Sequence, residues 1–132
     1  MTHVKVFIDG AARNNPGPAG IGISIEKDGK PFKEYHGYLG ETTNNIAEYS
    51  ALLTALEHLV KLKIHSADFF SDSELLVKQI NGQYRVKNEV LIQFHAKATA
   101  LIRKMKHFSI AHVRREQNKR ADELANMGID QK

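Results

Sequence analysis

Cysteine is absent from the 132 residues, which removes a disulfide framework, a thiolate zinc site and a cysteine nucleophile together. Any metal must be held by oxygen or imidazole. No stretch approaches the ~18 apolar residues of a membrane span, and the first residues lack the apolar run of a secretory signal. A soluble, cytoplasmic protein without a membrane partner is expected. Internal repeats, low-complexity tracts and interdomain linkers are missing too. At 42% hydrophobic residues the length suits one compact domain over residues 1–132, burying roughly two thirds of its unfolded surface. Gly17 to Gly22 is not a nucleotide loop, because neither the Gly-Lys-Ser/Thr of a P-loop nor the third glycine of a dinucleotide turn follows. The formal charge of +4 fits a polyanionic partner without singling one out.

What is present begins with a misplaced acid. Asn45 is a good N-cap residue, and Ile46, Tyr49, Leu52, Leu53, Leu56, Leu59 and Val60 then recur at helical spacing as far as Lys61 and Lys63. Glu48 projects from the first turn of this helix toward the side of the core-facing leucines. By itself it reads as a capping carboxylate, three residues after Asn45 and favoured by the helix dipole.

Ahead of that helix, Val4 to Asp9 reads as a central strand with Val4, Val6 and Ile8 on one face. Turn residues from Gly10 to Pro18, Asn14 among them, lead into a second strand, Ala19 to Glu26, and Lys27-Asp28-Gly29-Lys30 turns into a third, Phe32 to Leu39. After the helix, Ala67 to Asp72 is a short buried strand, and Ser73 starts a helix ending near Asn81-Gly82. Asn88 caps a longer helix through Leu91, Phe94, Ala98, Leu101 and Met105, and Phe108 to Val113 is a last strand. Asn118 caps a closing helix with Ala121, Leu124 and Ala125 inward, stopping near Gly128. An antiparallel meander followed by strands alternating with helices implies one mixed sheet, its later strands carried parallel to the first by right-handed crossovers.

In such a sheet Asp9 and Asp72 end neighbouring parallel strands, where open sheets place their ligand crevice, and the first turn of the Glu48 helix leans over that edge. Asp122, four residues past Asn118, closes the cluster. Each acid has a structural alternative as turn, cap or helix N-terminal residue. Together they crowd negative charge, which is unfavourable unless protons or a hard cation neutralise it. Magnesium suits such a site, since it takes oxygen ligands and keeps several waters.

The strings Asp9-Gly10-Ala11, Asn15-Pro16-Gly17-Pro18-Ala19-Gly20, Thr43-Asn44-Asn45-x-Ala47-Glu48, Ser71-Asp72-Ser73 and Ala121-Asp122-Glu123-Leu124-Ala125, in this order and spacing, resemble type 1 ribonuclease H over nearly the whole chain. The resemblance implies an α/β ribonuclease H-like fold, a five-stranded mixed sheet flanked by helices. It also implies an endonuclease that cuts the RNA strand of RNA/DNA hybrids with magnesium, or manganese in its place, leaving 3′-hydroxyl and 5′-phosphate ends. By the motif match Asp9, Glu48, Asp72 and Asp122 are the expected catalytic and metal-binding carboxylates. Asn15, Asn44 and Asn45 offer uncharged amides that both donate and accept, suited to reading a 2′-hydroxyl, and Thr43 adds a phosphate hydrogen bond. The basic Arg85, Lys87, Lys97, Arg103, Lys104, Lys106, Arg114, Arg115, Lys119 and Arg120 are candidates for tracking a phosphate backbone or, equally, solvated helix faces. The expected state is a monomer with no obligate protein partner.

The pattern departs from many relatives in several places, among them Glu74, where they often have glutamine, and Glu41, where some have a phosphate-binding arginine. The loop before Asp122, Arg114-Arg115-Glu116-Gln117, lacks their histidine, and His112 is expected to be a structural strand residue. Gln83 to Lys87 is too short to hold the basic insertion some relatives use to grip the hybrid. A separate hybrid-binding domain is not expected either. Two other readings are a catalytically silent hybrid-binding module, which would show a broken acid set, and a junction resolvase, which needs no reader of the 2′-hydroxyl.

Overall fold

The computed structural model describes residues 2–132. Three strands, β1 (His3–Ala12), β2 (Gly17–Lys27) and β3 (Lys30–Thr42), form the antiparallel meander, and β4 (Ser66–Ser71) and β5 (His107–His112) run parallel to β1. The sheet order is β3-β2-β1-β4-β5, so β1 is central. Its Val4, Val6 and Ile8 are fully buried, as alternation requires of a strand covered on that face. The helices are α1 (Asn44–Lys61), α2 (Glu74–Ile80), α3 (Glu89–Ile102) and α4 (Lys119–Asp130). Among the described residues no helix is long and apolar enough to cross a membrane.

One core lies between the sheet and α1, where Tyr49, Leu52, Leu56 and Leu59 meet Val4, Val6, Ile8 and Phe69. Val60, expected to face inward, is 53% exposed, since it falls on the far side of the last turn. On the opposite face α4 lies across β2 and β3 with Ala121, Leu124 and Ala125 buried. Its approach is set by absent side chains. A Cβ on Gly22 would come within 2.1 Å of the Ala121 carbonyl oxygen. The same logic corrects the expected end of α4, because Gly128 does not stop the helix, which runs on to Asp130. A Cβ on Gly128 would sit 2.3 Å from the Gly37 carbonyl oxygen, so this glycine serves close approach to β3 and no left-handed cap.

Every strand of the meander is longer than expected, because ladder pairing carries polar and glycine positions along with the apolar ones: Gly17 pairs with Thr42 and Lys27 with Lys30. The cap of α1 also moves. Thr43, and not Asn45, is the N-cap, its hydroxyl accepting from the N–H of Ile46 at 3.2 Å. Ser73 and Asn88 cap α2 and α3 as expected.

Candidate active site

The crevice opens where β1 and β4 part. Their last paired residues are Ile8 and Ser71, and the next residue on each strand is an acid, Asp9 and Asp72. Ser73, rather than Asp72, caps α2, which leaves the Asp72 carboxylate for the crevice. Past the last β1–β4 pair, the N–H of Gly10 donates to Glu48 Oε1 at 2.7 Å. That bond overturns the capping account of Glu48, whose carboxylate is spent on β1 and not on its own helix. It needs a bare backbone, since a Cβ on Gly10 would lie 2.2 Å from the carbonyl of Ala47.

Asp9, Glu48 and Asp72 each bring a carboxylate oxygen within 4.8 Å of the others, and among the described residues no other acid, histidine or cysteine set does so. Asp122 acts on Asp9, raising its carboxyl, but stands outside that three-oxygen set. The fourth expected ligand is thus adjacent to the cluster, carried by the first turn of α4. Burial, and then the charges of Asp72 and Asp122, push the Asp9 carboxyl up to about 8. Burial raises Glu48 as well, reinforced by Asp9 and Asp72 and opposed by the Gly10 N–H and Arg115. Asp72 is raised by burial and partly relieved by Arg115. Acids this close titrate as one unit, so the protons belong to the cluster.

The crevice has a volume of about 630 Å³, and Asn44, His112, Arg114 and Arg115 line it with the acids. His112 is exposed at the end of β5, beside Asp72. His112, expected to be a structural strand residue, thus lines the crevice because β5 ends there. Asn44 Oδ1 accepts from the N–H of Ala12 at 2.7 Å, and Asn15 Oδ1 accepts from the N–H of Asn44 at 2.9 Å. Both amides lock the loop after β1 to the start of α1 through their oxygens, leaving their amino groups to donate. Asn15, Thr43 and Asn45 line a neighbouring groove with Asn88 rather than the acid crevice itself. The structure thus splits the expected substrate residues between two adjoining surfaces.

Sequence reasoning placed Arg115 only among residues that track a backbone, and it missed that the guanidinium is felt by Glu48 and Asp72. The Arg-Arg pair two residues after β5 was the available signal. Arg120, grouped with the free basic residues, is engaged: Nε and Nη2 donate to the two oxygens of Glu34 at 2.7 and 2.8 Å. Asn118 was expected to cap α4, yet its side chain makes no capping bond.

The family model described as reverse transcriptase-like matches residues 7–128. Ribonuclease HI of Halobacterium salinarum is 38% identical over 128 residues, which are 96% of this chain and 64% of that protein. This chain therefore spans a little under two thirds of that relative's length. Ribonuclease H of Rhizobium etli is 34% identical over 144 residues, covering 98% of this chain and 93% of the relative. Among solved structures, LC11-RNase H1 in complex with an RNA/DNA hybrid superposes with a TM-score of 0.92 at 42% identity, over 97% of each chain.

Proposed function

We propose, for a chain that belongs to the type 1 ribonuclease H family, that it hydrolyses the RNA strand of RNA/DNA hybrids endonucleolytically, leaving 3′-hydroxyl and 5′-phosphate ends. The observation that carries the reading is the convergence of Asp9, Glu48 and Asp72 at the parting of β1 and β4, with Asp9 displaced to about 8. Three buried or half-buried carboxylates with oxygens within 4.8 Å of one another fit a hard divalent cation, and magnesium, or manganese in its place, is the cation of that chemistry. Asp9, Glu48 and Asp72 hold it, and Asp122 completes the set from α4. When bound, such a cation polarises the scissile phosphate and lets water attack at neutral pH.

The remaining groups prepare the substrate. The Gly10 N–H fixes one oxygen of Glu48 and leaves the other for the cation. The Asn44 amino group, free because its oxygen is tied to Ala12, donates toward the ribose of the strand to be cut, and the 2′-hydroxyl is the atom a DNA strand lacks. The groove of Asn15, Thr43, Asn45 and Asn88 receives the sugar-phosphate chain of the second strand, where neutral donors meet phosphate oxygens. Arg114 and Arg115 bring positive charge to the rim.

Incubating the protein with RNA/DNA hybrid, single-stranded RNA and duplex DNA, each with magnesium, manganese or chelator, tests this. Hybrid alone should be cut, only with metal, and only in the RNA strand. Equal cutting of duplex DNA, or cutting in chelator, refutes it.

A further inference from the structure

Asn118 is the buried polar residue beside the acids that neither capping nor the chemistry above employs. It precedes α4, where asparagine ordinarily bonds the first turn, but its side chain turns away, and only 1% of the residue is exposed. Nδ2 donates to the carbonyl of Ile8 at 2.9 Å, the strand position immediately before Asp9. The backbone carbonyl of Asn118 accepts from the N–H of Asp122 at 3.1 Å. One residue thus holds the chain at both of these acids. Its Oδ1 has no partner among the described residues. A buried, unpaired amide oxygen is a cost that serine, an equally good cap, would not incur. Reach explains the asparagine where capping does not, since a serine hydroxyl is too short to meet Ile8.

α4 rests on β2 at Gly22, which meets its first turn at Ala121, and on β3 through Gly128, and it also packs beside β1, while the loop before it is exposed. The side-chain hydrogen bond that ties the start of α4 to β1 beside Asp9 is made by Asn118. We propose that Asn118 is a positioning residue that sets Asp122 against Asp9, so that the fourth carboxylate serves a cation held by the other three. The inference rests on the proposed cation site and concerns what brings Asp122 to it.

The test uses Asn118→Ser, which keeps a cap but cannot span to Ile8, and Asn118→Thr, which fills more of the buried space. Either variant that folds by circular dichroism is decisive. Mn²⁺ binding is followed by electron paramagnetic resonance of the free ion, beside kcat and KM on hybrid. Loss of an outer contact of this kind weakens metal binding or turnover roughly 10- to 100-fold, and the expectation is a loss of that order in Mn²⁺ affinity and kcat with KM little changed. Asp122→Asn should show the same loss, and combining it with Asn118→Ser should add nothing, because the two act through one contact. In the unmodified protein the Asn118 side-chain amide resonances should shift when Mg²⁺ is added. Parental Mn²⁺ affinity in a folded variant, full additivity with Asp122→Asn, or an amide silent to Mg²⁺ overturns the inference and leaves the cation site standing. A parent protein that binds no Mn²⁺ overturns the cation reading first, and this inference with it.

Discussion

Replacing Asp9 by asparagine should stabilise the metal-free protein while destroying its activity. In the folded state the Asp9 carboxyl is pushed from its ordinary 3.8 up to about 8. Between those values the unfolded chain has released the proton and the folded chain keeps it, so stability falls as pH rises through the window, by about 1.4 kcal/mol per pH unit. Below pH 3.8 the penalty is absent, and above 8 it is complete. At pH 7 it amounts to about 4 kcal/mol, an upper limit because neighbouring acids share the protons. For a domain of this size a kcal/mol corresponds to roughly 3–4 °C. Burial of an asparagine amide offsets part of the gain, so Asp9→Asn should melt about 5–10 °C above the parent at pH 7.5 without metal.

Melting curves from pH 4 to 9 in chelator, for parent and variant, read this directly. Their difference should grow steadily up to pH 8 and then level off. Saturating magnesium should raise the parent by mass action, about 2.7 kcal/mol at a hundredfold excess over Kd, and raise the variant less. Asp72→Asn should move the same way by a smaller amount, because Arg115 already relieves that acid. If Asp9→Asn melts at or below the parent in chelator, or if the two curves run parallel in pH, the cluster is not strained and the reasoning fails.

Other perturbations separate site from scaffold. Gly10→Ala drives a Cβ to 2.2 Å from the Ala47 carbonyl and should cost more than about 3 kcal/mol in urea unfolding; a loss under 1 kcal/mol would mean that α1 moves freely from β1. His112→Ala should leave the melting temperature within about 2 °C, as expected for an exposed residue, and any fall in turnover then belongs to the crevice; a drop near 8 °C would restore the structural reading. Asp68 accepts from Ser109, His107 and His3, which hold its carboxyl down at about 2, so its contribution is present above pH 3.8 and is lost as pH falls toward 2. Melting curves of Asp68→Asn and parent should therefore differ near neutrality and converge in acid, and a constant gap would contradict the assignment. Hybrid affinity, read by fluorescence anisotropy, should fall steeply between 50 and 200 mM salt if Arg and Lys carry the grip; a flat response would point to another surface.

Strand order, parallel crossovers and the meeting of Asp9, Glu48 and Asp72 were legible because they follow from periodicity and from where parallel strands end. What escaped was degenerate in local chemistry. Thr42, Thr43, Asn44 and Asn45 are four neighbours, all of N-capping type, and the choice is made by partners 29 and 32 residues away, Asn15 and Ala12. Gly128 and Gly82 look alike in sequence. Gly82 takes φ +77 in a turn, whereas Gly128 sits inside a helix against Gly37, and only the packing of α4 on β3 distinguishes the two uses. The place of His112 at the crevice was not legible, because alternation fixes which face a side chain takes but not where the strand ends, and β5 ends at the crevice.

Each acid comes from a different element, and each of those elements is anchored near its acid by main chain rather than by a second side chain competing for the carboxylate. Gly10 lets α1 approach until Glu48 meets a backbone N–H; Asn44 spends its oxygen on Ala12; Gly22 lets α4 approach until Asn118 reaches Ile8. Neutral anchors of this kind add no charge to a site that already carries too much of one sign. A lysine or arginine in their place would relieve the acids and stabilise the metal-free fold, but it would also compete with a cation for the same oxygens. Arg115 is a formal positive charge that acts on both Glu48 and Asp72, and it stands exposed at the rim, where solvent screens it. On the proposed reading, the strain at Asp9 is left for a divalent cation to relieve, so a variant that lowers the strain in the metal-free fold should also gain less stability from metal.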